Sequence, residues 1–92
     1  MAENAAAAEK MLKMLANQSR LRILCSLVSG EKSVNELEEY VELSQSALSQ
    51  HLAKLRTEGI VSAEKRGQSV FYSLTSIEVS AILSTLYLIY CK

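Results

Sequence analysis

Ninety-two residues with no proline, three glycines and no net formal charge describe one small helix-rich domain, residues 1–92, and exclude a loop-rich scaffold or a uniformly basic nucleic-acid binder. An apolar fraction of 49% exceeds what so small a core hides, so part of the surface is expected to be buried against a second subunit. The opening "MAENAAAAEK" lacks the pattern of a secretory signal, and "AILSTLYLIYC" is too short and too interrupted to span a bilayer, so a cytoplasmic protein with no membrane partner is expected.

Residues 5–16 read as a first helix, with four alanines leading into Met11, Leu12, Met14 and Leu15. Ser19 is positioned to cap a second helix, "SRLRILCSLVSG", stopped by Gly30. On it Leu21, Leu24, Cys25 and Val28 recur at helical spacing and share a face, while Ile23 and Leu27 lie on another side. "SVNE" is a capping box from Ser33 to Glu36 and opens a short third helix ending near Tyr40. Ser44 caps a fourth helix that runs to about Glu58 and stops at Gly59. Two helices joined by so few residues form a helix-turn-helix pattern.

After Gly59 the period changes. "IVSAEKRGQSVFYSL" places strand-forming residues on both sides of a turn at Arg66-Gly67-Gln68, which predicts a β-hairpin. "TSIE" reads as a second capping box, Thr75 to Glu78, and starts the last helix. Its stripe is Val79, Ile82, Leu83, Leu86 and Tyr90, with Ile77, Ala81 and Leu88 on the far side. A terminal helix apolar on two sides packs against another chain. The expected architecture is mainly α with a β-hairpin wing: a winged helix-turn-helix, homodimeric through its first and last helices.

The fourth helix carries the chemistry. Leu52 and Leu55 fall within about 40° of Leu48 at 3.6 residues per turn. Ser46, Ser49, Gln50, Ala53 and Thr57 face away. Glutamine pairs two-pronged with adenine, serine donates or accepts at several base edges, and alanine leaves room for a thymine methyl. Base reading concentrates in the N-terminal half of such a helix, so Gln45, Ser46, Ser49 and Gln50 are the expected base contacts. Lys54 and Arg56 on its shoulders, with Lys65, Arg66 and Gln68 in the wing, are the expected phosphate or groove contacts. The competing reading is that Ser and Gln merely coat a solvated helix; the tight turn before it and the hairpin after it favour double-stranded DNA. Charge is unevenly placed: Glu31, Glu36, Glu38, Glu39 and Glu42 face only Lys32 across residues 31–42. Across residues 44–70, Lys54, Arg56, Lys65 and Arg66 outnumber Glu58 and Glu64, so a neutral total conceals a basic region.

"LSQSALSQHLAKLRTEGIV" followed by "RGQSVFYSL" resembles the ArsR family of bacterial winged-helix repressors, over about Leu12 to Cys91. The resemblance implies a homodimer on an imperfect palindromic operator that lets go when a signal arrives. Many members sense metals. The third-helix segment "SVNELEEYVELS" has no cysteine, the last helix has one glutamate and no histidine, and His51 is the only histidine, so neither a metal nor another cofactor is expected.

Cys25 and Cys91 remain. On the residues alone, Cys25 reads as a core filler and Cys91 as a chance terminal residue, although a winged helix of this order can bring the second and last helices side by side. A thiol after "RLRIL" and another in a terminal "YC" resemble the dithiol branch of the family, which implies that these two are the sensing residues for reactive sulfur species. The implied chemistry is thiolate attack on oxidised sulfur, resolved by the second thiol into a disulfide or a longer sulfur bridge. The same module fits a redox-responsive virulence regulator or anti-silencer. A thiol enzyme is disfavoured, because no partner base or C-x-x-C motif accompanies either cysteine.

Overall fold

The computed structural model describes residues 4–90. The elements, in chain order, are α1 (Ala5–Leu15), α2 (Gln18–Leu27), β1 (Lys32–Ser33), α3 (Val34–Tyr40), α4 (Gln45–Thr57), β2 (Val61–Arg66), β3 (Ser69–Leu74) and α5 (Ile77–Tyr90). The helices enclose a core of Met14, Leu15, Ile23, Leu24, Leu27, Leu37, Val41, Leu48, Leu52, Leu55, Ile60, Val61, Val79 and Leu83. Every helix contributes, so the core is a junction between elements rather than a seam between two of them.

Local chemistry sets the helix ends. At α3 both halves of the capping box form: Ser33 Oγ accepts from the Glu36 N–H at 3.1 Å, and the Ser33 N–H donates to Glu36 Oε1 at 2.9 Å. Hydrogen bonding to the carboxyl from the Ser33 backbone N–H, and next from the Ser33 side chain, holds Glu36 below its usual range. Ser44 caps α4 by accepting from the Ala47 N–H at 3.2 Å. The far end of α4 closes with the paired bonds of a Schellman motif: the Ile60 N–H donates to the Leu55 carbonyl and the Gly59 N–H to the Arg56 carbonyl. Gly59 has φ +74, a left-handed backbone that costs a side-chain-bearing residue energy and costs glycine nothing.

Two expected caps shift. α2 is capped by Asn17, whose side chain accepts from the Arg20 N–H at 3.0 Å, and not by Ser19, which lies inside the first turn. α2 also ends at Leu27, before Gly30. Arg20 then reaches back, its guanidinium donating to the Met14 and Lys13 carbonyls at 2.7 and 3.2 Å. It therefore closes the end of α1 instead of adding to a charged face. At α5 the cap is Ser76, which accepts from the Val79 N–H at 3.2 Å. Thr75 is drawn elsewhere, since its hydroxyl donates to the Gly59 carbonyl and its N–H to the Ile60 carbonyl.

The sheet has one more strand than the sequence pattern announced. β2 and β3 form the hairpin with Val61 opposite Leu74 and Arg66 opposite Ser69, and β1 adds antiparallel to β3, giving the order β1-β3-β2. Gly67, at φ +63, takes the first central position of the two-residue turn, as a type II′ geometry requires. β1 is only two residues long, too short to show a period.

On α2 the deepest side chains are Ile23, Leu24 and Leu27, while Leu21, Cys25 and Val28 are half-buried. Of the stripe expected from spacing, Leu24 is in the core and Leu21, Cys25 and Val28 lie on its flank. On α5, Val79 and Leu83 are buried and Ile82 and Leu86 are half-buried. Tyr90, placed in the same stripe, is 77% exposed, alongside exposed Ile77, Tyr87, Leu88 and Ile89.

Replacing Leu48, fully buried on the inner face of α4, by alanine removes core contacts that the neighbours cannot refill. The expected cost is about 2–5 kcal/mol, read as a lower urea midpoint at an unchanged denaturant slope.

Candidate nucleic-acid interface and thiol site

Burial divides α4 cleanly. Leu48, Leu52 and Leu55 face the core, and Gln45, Ser46, Ser49, Gln50, Ala53, Lys54, Arg56 and Thr57 are all exposed. The polar face has no buried task to perform. Ser46 shares only a 3.3 Å hydroxyl contact with the capping Ser44. His51 is half-buried at the edge of the leucine face.

The hairpin stands beside the start of this helix. Gln45, at the N-terminus of α4, and Gln68, at the hairpin turn, line one shallow cleft of about 260 Å³ with Ser33, Val34, Asn35, Ser69 and Val70. The structure therefore brings one expected reading residue, Gln45, and one wing residue, Gln68, to the same cleft. Lys65 is exposed on β2. Among the described residues, Lys54, Arg56 and Lys65 make no ion pair.

Arg66 differs from them. Its Nη1 and Nη2 donate to the two carboxylate oxygens of Glu31 at 2.7 and 2.9 Å, and its Nε donates to Glu64 Oε1 at 2.7 Å. The guanidinium also lies 4.7 Å from the centre of the Phe71 ring. Glu31 precedes β1, so this contact spans the sheet from one edge to the other. Hydrogen bonding from Arg66 holds the Glu31 carboxyl below its ordinary range, and the two carboxylates push the Arg66 pKa further up. Residue counting could not reveal this arrangement, because Glu31 and Arg66 lie 35 positions apart.

Of the two thiols, Cys25 is half-buried on α2 against the core cluster. α2 packs against α5. Cys91 lies outside the described residues; in sequence it follows Tyr90, the last residue of α5. No cluster of three or more His, Cys, Asp or Glu side chains suited to a metal exists among the described residues. No helix among them is long and apolar enough to cross a membrane.

Residues 17–63 match the family described as "Bacterial regulatory protein, arsR family". The transcriptional activator HlyU of Vibrio cholerae is 52% identical over 92 residues, spanning all of this chain and 85% of that protein. The structure of reduced HlyU from the same organism superposes with a TM-score of 0.95, covering all of this chain and 97% of that one. The biofilm growth-associated repressor of Xylella fastidiosa is 41% identical over 88% of this chain and 71% of its own length.

The lowered Glu31 carboxyl fixes the pH response of the wing. A carboxyl depressed on folding stabilises above its unfolded value, near 4.5, and that contribution is lost as pH falls through the lower folded value. In an NMR titration the Phe71 and Arg66 signals are expected to move together below pH 4.5, and to lose that shared step in Glu31→Gln.

Proposed function

The chain belongs to the arsR family of bacterial regulatory proteins, and on that premise we propose that it is a dithiol-responsive transcriptional repressor. It binds an imperfect palindromic operator in promoter DNA as a homodimer when reduced, and it is released when reactive sulfur species bridge Cys25 and Cys91. The family comprises transcriptional regulators with a helix-turn-helix, not enzymes. The finer reading rests above all on one juxtaposition: Cys25 sits half-buried on α2, α2 packs on α5, and Cys91 follows α5 directly in sequence.

The division of α4 supports the DNA half. Its leucines are committed to the core, so Gln45, Ser46, Ser49 and Gln50 are left to meet base edges in the major groove, with Lys54, Arg56 and Lys65 on phosphates and Gln68 flanking the groove. The apolar side chains left exposed on α5, with Leu12 on α1, support a homodimer closed through those two helices. The cytoplasm, where promoter DNA and reduced thiols are found together, is the compartment this reading requires.

The thiol chemistry balances with an organic persulfide as oxidant. One cysteine thiolate attacks the terminal sulfur of the persulfide and expels the parent thiol, leaving a cysteine persulfide. The second thiolate attacks its inner sulfur and expels hydrosulfide, so two thiols become one disulfide and the persulfide is reduced. Each sulfur atom added to the bridge consumes one more persulfide. Release requires only that the bridged dimer fit DNA less well than the reduced one, and a tenfold loss of affinity corresponds to about 1.4 kcal/mol.

A second reading has a specific observation behind it. The 52% identical relative is named an activator, so the same module could raise transcription by displacing a silencing protein from the promoter. A reporter fused to the regulated promoter separates the two, since deletion of the gene lifts expression under the first reading and lowers it under the second.

Changing Gln50 to alanine is expected to weaken binding to the specific site by about 1–3 kcal/mol and binding to random DNA far less. Equal losses on both, in the same anisotropy titration, would remove Gln50 from base reading. For the thiols, mass spectrometry after treatment with an organic persulfide should find Cys25 and Cys91 joined, with weaker operator binding of that product alone. Cys25→Ser should stay on DNA throughout. Release of Cys25→Ser by persulfide, or of an alkylated protein by zinc, would sink the dithiol reading.

A further inference from the structure

The wing carries two adjacent cations, Lys65 and Arg66, and the structure treats them differently. Successive residues of a strand point to opposite faces of a sheet. Val61 on β2 is buried against the core, so Lys65, four residues on, shares the core-side face, and Arg66 takes the outer one. On that outer face the guanidinium is held by both oxygens of Glu31, by Glu64 and by the Phe71 ring. A single exposed ion pair is worth little, but a two-pronged contact with a second carboxylate and an aromatic face fixes the planar fork in one place. A phosphate approaching Arg66 meets a cation already neutralised by two anions.

We infer that Arg66 is a wing-positioning residue rather than a DNA contact, and that Glu31 and Glu64 limit the protein's affinity for non-specific DNA by withholding that cation. The inference rests on the DNA-binding reading above. It assigns the wing's phosphate contact to Lys65 alone and gives Glu31, the first carboxylate of the acidic stretch 31–42, a defined task. Arg66 also joins the hairpin to the loop that follows α2, the helix that bears Cys25.

Salt dependence separates a phosphate contact from a positioning role, because each phosphate neutralised adds about 0.9 to the slope of log affinity against log salt. The probe is a random-sequence duplex, titrated by fluorescence anisotropy across a range of salt concentrations. Lys65→Gln is expected to flatten the slope by about 0.9 per protomer, and Arg66→Gln to leave it unchanged. The double variant Glu31→Gln with Glu64→Gln is expected to steepen it by about the same amount and to bind random DNA roughly threefold more tightly per freed contact over a fourfold fall in salt. Glu31→Gln alone serves the same purpose should the pair fail to fold by circular dichroism. An Arg66→Gln slope as flat as that of Lys65→Gln would put Arg66 on phosphate and overturn the inference, as would an unchanged slope on removing the carboxylates. A wild-type protein that binds no duplex at all would instead overturn the DNA-binding reading on which the inference stands.

Discussion

Three leucines on one side of α4 govern what the rest of the structure presents. Leu48, Leu52 and Leu55 are buried together, and their burial fixes the rotation of the helix about its own axis. With that rotation fixed, every serine and glutamine on the opposite side is turned outward at once. The same packing continues past the helix. Leu55 accepts the backbone bond from Ile60, and Ile60 and Val61 are themselves buried, so the chain leaves α4 already anchored as it enters β2. The hairpin is therefore held in a set relation to the polar face of α4, and Gln45 and Gln68 come to share one cleft.

The C-terminal end of α4 is also where the outer helices take hold. Lys10 of α1 pairs with Glu58 at 3.2 Å, and Thr75, just ahead of α5, donates to the Gly59 carbonyl. α1 and the residue ahead of α5 thus both reach the segment that closes the polar helix. On the proposed dithiol reading, a bridge that reseated α5 on α2 would act on Thr75 and, through its hydrogen bond, on Gly59 at the end of α4. This is a physically contiguous route; whether it carries coupling depends on the two ends having different affinities in the two states. One hydrogen bond thus separates the start of α5 from the end of the polar helix.

Much of this was legible in the residues. Ser33 with Glu36, Ser44 ahead of the leucine repeat, and Gly59 after it each mark a helix end by a local hydrogen-bonding rule, and each operates as read. The leucine face of α4 was legible because its spacing has a single solution. What failed was where two local solutions compete. Asn17 and Ser19 both suit a cap, and Thr75 and Ser76 both suit another; Thr75 is drawn to the Gly59 carbonyl across the fold, a bond that no local pattern contains. α2 misled for a related reason. It is apolar on most of its circumference, so spacing does not say which side is deepest, and only packing puts Ile23 and Leu27 there with Cys25 on the flank.

Charge was the least legible quantity, and the reason is general. Summing residues over a window treats each ion as available to a partner, whereas a folded chain spends some of them internally. Lys10 is spent on Glu58 and Arg66 on Glu31 and Glu64. What remains beside the polar face of α4 is Lys54, Arg56 and Lys65, three cations without an ion pair among the described residues. A surface with so few unspent cations draws modest energy from phosphates, the contribution that does not depend on sequence. On the proposed reading, more of the discrimination then falls to the uncharged serines and glutamines, whose hydrogen bonds are worth having only against the right base edges. A chain with no net charge is in that sense suited to finding one site among many, because little in its field holds it to the others.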